Sequence, residues 1–94
     1  MSTSTAAAFD LDAAYELHPQ VSVRPERFGA LLYHFGTRRL TFLKSPDLLT
    51  VVSSLASQPS ARAACAAAGL TDADLPAYSR ALATLAAGRM ISER

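Results

Sequence analysis

Residues 18–46 read HPQVSVRPERFGALLYHFGTRRLTFLKSP. This stretch holds three of the four Phe residues, both His and three of the five Pro. It reads as β-structure, while nearly everything after it is Ala-rich and reads as helix. Val21-Ser22-Val23 alternates apolar and polar residues, which predicts a short strand that Pro25 ends. Two further β-rich runs, 26–35 and 38–43, flank Gly36-Thr37. Glycine as the first of two loop residues is a type II′ hairpin signal.

Such a turn sets a register. Phe35 then faces Arg38, Tyr33 faces Leu40, and Leu31 faces Phe42. Side chains alternate along a strand, so these six residues share one face. Apart from Arg38 they are large and mostly apolar, so this face is expected to be the core. The opposite face carries Ala30, Leu32, His34, Arg39, Thr41 and Leu43 and is more mixed.

Working outward, residues 1–8 are Ser, Thr and Ala around Met1 and read as a frayed arm. Residues 9–94 form one domain. Phe9, Leu11 and Tyr15 are candidates to pack on it, and residues 15–17 read as a short extended segment. Beyond the hairpin, Ser45 is a good N-cap and Pro46 suits the first helical position. Leu48, Val51, Val52 and Leu55 at helical spacing predict a helix over 46–56. Ser60 caps a second helix over 61–68, and Gly69 closes it. A third helix starts at Thr71 or at Asp74, carries Leu75, Tyr78, Leu82 and Leu85 as its apolar stripe, and ends at Gly88. Residues 89–91 are a tail that packs or pairs. The expected fold is α+β and winged-helix-like: a three-stranded antiparallel sheet followed by three helices.

Composition narrows the function. Half the chain is hydrophobic, but much of that is alanine, which buries little area. The core is therefore modest, with stability at the low end of roughly 5–15 kcal/mol. A net charge of +1 is no general nucleic-acid or membrane footprint. One cysteine, Cys65, cannot form an internal disulfide and fits a reducing, cytoplasmic compartment. No apolar run reaches the roughly 20 residues that span a bilayer. The chain has no phosphate-binding glycine loop, no paired-cysteine metal motif and no catalytic constellation. His18, His34 and Cys65 match no zinc spacing and are read as a turn histidine, a strand histidine and a core thiol.

Two non-catalytic readings remain. Helix, glycine turn and longer helix over 61–81 has helix-turn-helix character, so a winged-helix DNA-binding regulator is the alternative. Against it, Asp72 and Asp74 stand where a recognition helix meets phosphates. The favoured reading rests on residues 38–43 as an outer strand. Its unpaired backbone groups can accept a peptide as an added strand, beside pockets on a neighbouring helix. Arg38, Arg39 and Lys44 suit an acidic guest or simply protect the edge. A Thr41→Pro change would test the edge if that donor points outward.

HPQVSVRPE at 18–26, FGALLYHFGTRRL at 28–40 and FLKSP at 42–46 resemble the peptide chaperones of mycofactocin biosynthesis, a family in the PqqD-like group. The resemblance continues through GLTDADLPAYSRALATLAA at 69–87 and covers residues 9–91. It implies recognition of the leader of a short, ribosomally made (MftA-like) precursor peptide. It also implies presentation of that peptide to an (MftC-like) radical S-adenosylmethionine maturase, which would carry the cofactors itself. The implied groove has Arg38, Arg39, Leu40, Thr41, Phe42 and Leu43 on one side. Leu75, Tyr78 and Leu82 lie on the other. No catalytic or metal-binding residue, bound cofactor, nucleic acid or membrane is expected. The expected state is a monomer, with a strand-swapped or edge-paired dimer as the variant.

Overall fold

The computed structural model describes residues 9–94, so the arm expected at 1–8 lies outside the described residues. Along the chain come β1 (Tyr15–Leu17), β2 (Val21–Glu26), β3 (Gly29–His34) and β4 (Arg39–Leu43). They are followed by α1 (Pro46–Ser54), a 3-10 turn (Leu55–Ser57), α2 (Ala61–Ala67), α3 (Leu75–Ala87) and β5 (Ile91–Glu93). Strands β2, β3 and β4 form an antiparallel sheet in that order, as expected. The extended segment at 15–17 and the tail at 91–93 also pair, making a second, two-stranded sheet. That sheet ties the start of the described chain to its end.

Strand β2 runs through Pro25 rather than ending there. The backbone explains why. Phe35 N–H donates to the Gln20 carbonyl at 2.8 Å. By alternation, Ser22, Arg24 and Glu26 also turn their backbone groups toward β3, and Pro25 turns away. A proline on an edge strand is tolerated where no ladder donor is needed. The run 26–35 is likewise not one strand: Glu26 pairs with Gly29, leaving Arg27-Phe28 as a turn. Gly29 takes φ 153°, and a Cβ there would lie 1.9 Å from the Leu43 carbonyl oxygen. Only glycine lets β3 approach the end of β4 this closely.

The β3–β4 register is the expected one, with Tyr33 opposite Leu40 and Leu31 opposite Phe42. The turn is not. Four residues, 35–38, separate His34 from Arg39, and the left-handed position is Arg38 at φ 61°, not Gly36. His34 organises this loop. Its Nδ1 accepts from the backbone N–H of Gly36 at 3.0 Å and of Thr37 at 3.1 Å. That leaves Nε2 to carry the ring proton, and Nε2 is buried without a partner. The imidazole leans on His18, with ring centroids 4.4 Å apart. Glycine at 36 is required by space rather than φ, since a Cβ would come within 2.9 Å of His34 Cε1 and 2.5 Å of Gln20 Oε1.

The face that is buried is the opposite of the one expected. Ala30, Leu32, His34 and Leu43 are buried, whereas Phe35, Leu40 and Phe42 are exposed and Leu31 and Tyr33 half-exposed. The buried face packs toward α1, and its core partners include Val51, Val52, Leu55, Ala64, Leu82 and Leu85. Small and aliphatic groups let Ala-rich helices lie close to the sheet. A wall of aromatic rings would hold them off.

The helices follow their caps. Ser45 Oγ accepts from Leu48 N–H at 3.2 Å, and Ser60 Oγ from Ala63 N–H at 3.1 Å. The first helix gives way to the 3-10 turn after Ser54, a little before its expected end. Gly69 closes α2 at φ 87°. Asp74 stands at the N-cap of α3 but turns its Oδ2 back to Thr71 N–H and Oγ1. Gly88 ends α3 in an ordinary conformation, and the left-handed residue is the next one, Arg89 at φ 62°. The 9–14 segment is tied down by α2, whose Ala61 and Arg62 N–H groups donate to the carbonyls of Ala13 and Leu11. Phe9 stacks on buried Tyr15 at 4.6 Å.

Two outcomes test these constraints. Gly29→Ala should cost about 3 kcal/mol, the upper end of ordinary point-mutant effects, in urea unfolding. His34→Phe keeps a ring in the core but removes the turn acceptor. Amide exchange at Gly36 and Thr37 should speed up about tenfold, the equivalent of one modest hydrogen bond each, ahead of any change in the helices.

Candidate functional site

The working edge of the sheet is decided by which backbone groups point outward. Phe35 faces β2, so Tyr33 and Leu31 do as well, and His34, Leu32 and Ala30 face β4. Their partners Arg39, Thr41 and Leu43 are therefore engaged with β3. Leu40 and Phe42 direct their N–H and C=O groups to the open side. The Thr41 donor points inward, contrary to the condition on which a proline there would test the edge, and such a proline would break the hairpin instead.

The two outer strands differ. On β2 the outward positions are Val21, Val23 and Pro25. Val21 N–H already donates to the His18 carbonyl at 2.9 Å, and Pro25 has no N–H. Only Val23 retains an outward donor there. The Arg24–Glu26 ion pair, 3.4 Å long, adds charge to that strand. Strand β2 is thus blunted as a template, whereas β4 keeps consecutive outward donors at Leu40 and Phe42.

The two ends of α3 come near the two ends of β4. At one end the Tyr78 hydroxyl lies 3.4 Å from Ser45 Oγ, just past the end of β4. At the other, Thr37 and Arg39 share a cavity of about 180 Å³ with Ala87, Gly88 and Arg89. The residues expected to line a groove between strand and helix divide. Leu43 and Leu82 are fully buried and belong to the core beneath it. Arg39 is exposed, and Thr41, Leu75 and Tyr78 are half-buried. Leu40 and Phe42 offer backbone to the groove edge, while their side chains stand on the outer face of the sheet with Tyr33 and Leu31. Arg38 lies in the turn, exposed. Ser45 and Arg89 are legible in the sequence only as a cap and a tail, because their place beside the groove depends on how α3 folds back.

Among the described residues no group of three His, Cys, Asp or Glu could hold a metal ion. Cys65 is fully buried, and burial pushes its thiol pKa up, away from nucleophilic character. Both histidines use Nδ1 as a turn acceptor, His18 taking the Gln20 N–H at 3.1 Å. Asp12 is held below the usual carboxylate range by the Arg62 guanidinium at 2.8 Å, an exposed pair that ties the 9–14 segment to α2. A concavity of about 610 Å³ lies between the C-terminal half of α3 and the terminal strands, with Tyr15, Ala83, Ala86 and Ile91 in its wall. It is open and lined mainly by apolar groups. Among the described residues no helix is long and apolar enough to cross a membrane.

Comparison with known proteins shows the family of the chain. The model of the peptide chaperone MftB family matches residues 14–92. The chain is 56% identical over 86 residues to the peptide chaperone MftB of Mycobacterium ulcerans (strain Agy99), covering 92% of this chain and 79% of that protein. It is 55% identical, with the same coverage, to the protein of that name from Mycobacterium tuberculosis (strain ATCC 25618 / H37Rv). It is 52% identical over 93 residues to that of Mycolicibacterium smegmatis (strain ATCC 700084 / mc(2)155), covering 97% of this chain and 91% of the relative. No solved structure matches the chain. The chain belongs to the peptide chaperone MftB family.

Proposed function

We propose that this protein is a non-catalytic adaptor that captures the leader of a short precursor peptide as a fourth strand on β4. It then presents that peptide to a radical S-adenosylmethionine maturase in mycofactocin biosynthesis. It carries no cofactor of its own and works in the cytoplasm as a monomer. The observation that carries the reading is the asymmetry of the two outer strands. Strand β4 keeps the Leu40 and Phe42 donors, whereas β2 has spent or lost all but one of its own. Main-chain pairing at an edge supplies affinity, and alternate side chains of the guest enter pockets that supply selectivity. Here the inward-facing guest side chains would meet Arg39 and Thr41 on the strand and Leu75 and Tyr78 on the helix. Arg38, Arg39 and Lys44 favour a guest with acidic residues. Asp72 and Asp74, just ahead of α3, weigh against DNA as the guest of the same helix.

Leu40→Pro removes an outward donor without touching the β3–β4 ladder. Leu40→Ala removes the same side chain and keeps the donor. Titration calorimetry with the precursor peptide should show at least a tenfold weaker Kd for Leu40→Pro than for Leu40→Ala, about 1.4 kcal/mol. Equal affinities in two folded variants would rule out strand addition at β4.

A further inference from the structure

The outer face of the sheet is apolar and uncovered. Phe28, Phe35, Leu40 and Phe42 are 50%, 60%, 62% and 55% exposed, and Leu31 and Tyr33 lie between them. These are not scattered rings. Phe28 meets Phe42 edge-on at 5.4 Å, and Tyr33 meets Phe35 edge-on at 5.1 Å. A contiguous exposed apolar patch with a polar rim is the mark of an interaction surface. Aromatic and Arg side chains are also the types that most often dominate interface energetics.

The rim identifies the kind of partner. Four cations of residues 20–44, Arg24, Arg27, Arg38 and Lys44, stand in the turns or on this side of the sheet, against one carboxylate, Glu26, whereas Arg39 lies opposite buried His34 on the other face. Glu26 is already paired with Arg24. Arg24 stands opposite Leu31 in the register and so shares the aromatic face. A second copy seated face to face would bring one cation-rimmed patch to another, with no excess of carboxylates on this face to offset them. The complementary surface is apolar and flanked by carboxylates.

Position narrows the partner further. A peptide added to β4 would extend this same face, with every second guest side chain beside Leu40 and Phe42. A protein seated on the face would therefore touch chaperone and guest together. We infer that the outer sheet face is the docking surface for the enzyme that modifies the bound peptide, through an acid-rimmed apolar patch on that enzyme. This inference rests on the strand-addition reading for the placement of the guest, but it concerns a different surface and a different partner.

The test uses the full chain, the precursor peptide and the purified radical S-adenosylmethionine maturase. Phe28→Ser/Phe35→Ser changes two turn side chains outside the strands and leaves the β4 edge intact. Calorimetry should show the maturase Kd rising at least tenfold and the peptide Kd changing less than twofold. Arg24→Glu, a fully separate surface change, should weaken the maturase at least threefold and flatten the salt dependence of binding. It decides the matter alone if the double variant fails to fold by circular dichroism. Unchanged maturase affinity in the folded variants overturns the inference, as does the absence of any complex with the unaltered chain. Loss of peptide binding with maturase binding intact would make the face a peptide site and also overturn it. So would a wild-type dimer, seen by light scattering, that the double variant dissolves. If the unaltered chain binds the maturase through this face but not the peptide, the strand-addition reading fails and the docking face stands.

Discussion

Burial of Ala30, Leu32, His34 and Leu43 on one side of the sheet sets the direction of everything else. Side chains alternate, so that choice sends Leu31, Tyr33, Leu40 and Phe42 to the other side. Backbone groups alternate too, but in the plane of the sheet. The hydrogen-bonding parity of that sheet, fixed by the Phe35 to Gln20 bond, turns the N–H groups of Leu40 and Phe42 to the open edge. Core packing and edge chemistry are thus set within one sheet. The close approach of Gly29 to the Leu43 carbonyl and the His34-bound turn pin the β3–β4 register at its two ends.

Much of this arrangement is legible in the sequence. The Ser45 and Ser60 caps, Pro46, Gly69 and the helical spacing of Leu48, Val51, Val52 and Leu55 act locally, so local reading finds them. The pairing of Tyr33 with Leu40 is legible as well, although the turn type behind it is not. Two- and four-residue loops centred on the same residues give the same partners. What separates them is the side-chain acceptor of His34 two and three residues upstream, which no glycine rule encodes. The buried face escapes a local reading for a related reason. Both faces are apolar enough to be cores, and bulk favours the aromatic one. Helices rich in alanine, however, need a flat aliphatic surface to lie against. A small face opposite Ala-rich helices is the signal that size alone conceals.

The direction of the Thr41 donor shows a further limit. Register names the residue opposite, not whether the pair exchanges hydrogen bonds. That parity follows from the Phe35 to Gln20 bond, which depends on where β2 begins. Pro25 carries the same information independently. A proline inside a six-residue strand is compatible only with an outward-facing position, and from there the parity propagates to β4. The direction of the working edge was therefore encoded in a residue whose local signal is merely the end of a strand.

The exposure of the rings also bears on stability. Fully burying a Phe or Leu side chain contributes roughly 1.5–3 kcal/mol. A chain whose core is built largely from Ala, Val and Leu leaves several such contributions unused on its outer face. Solubility opposes that arrangement as well, since such patches invite aggregation. Covering the face would offset both costs. A partner that covers it, or a guest strand that completes β4, stabilises the folded chain by mass action in proportion to its occupancy. Binding and folding then reinforce one another. The modest core and the exposed aromatic face are linked in this way: apolar surface that does not stabilise the isolated chain is surface that a partner's binding would turn into stability.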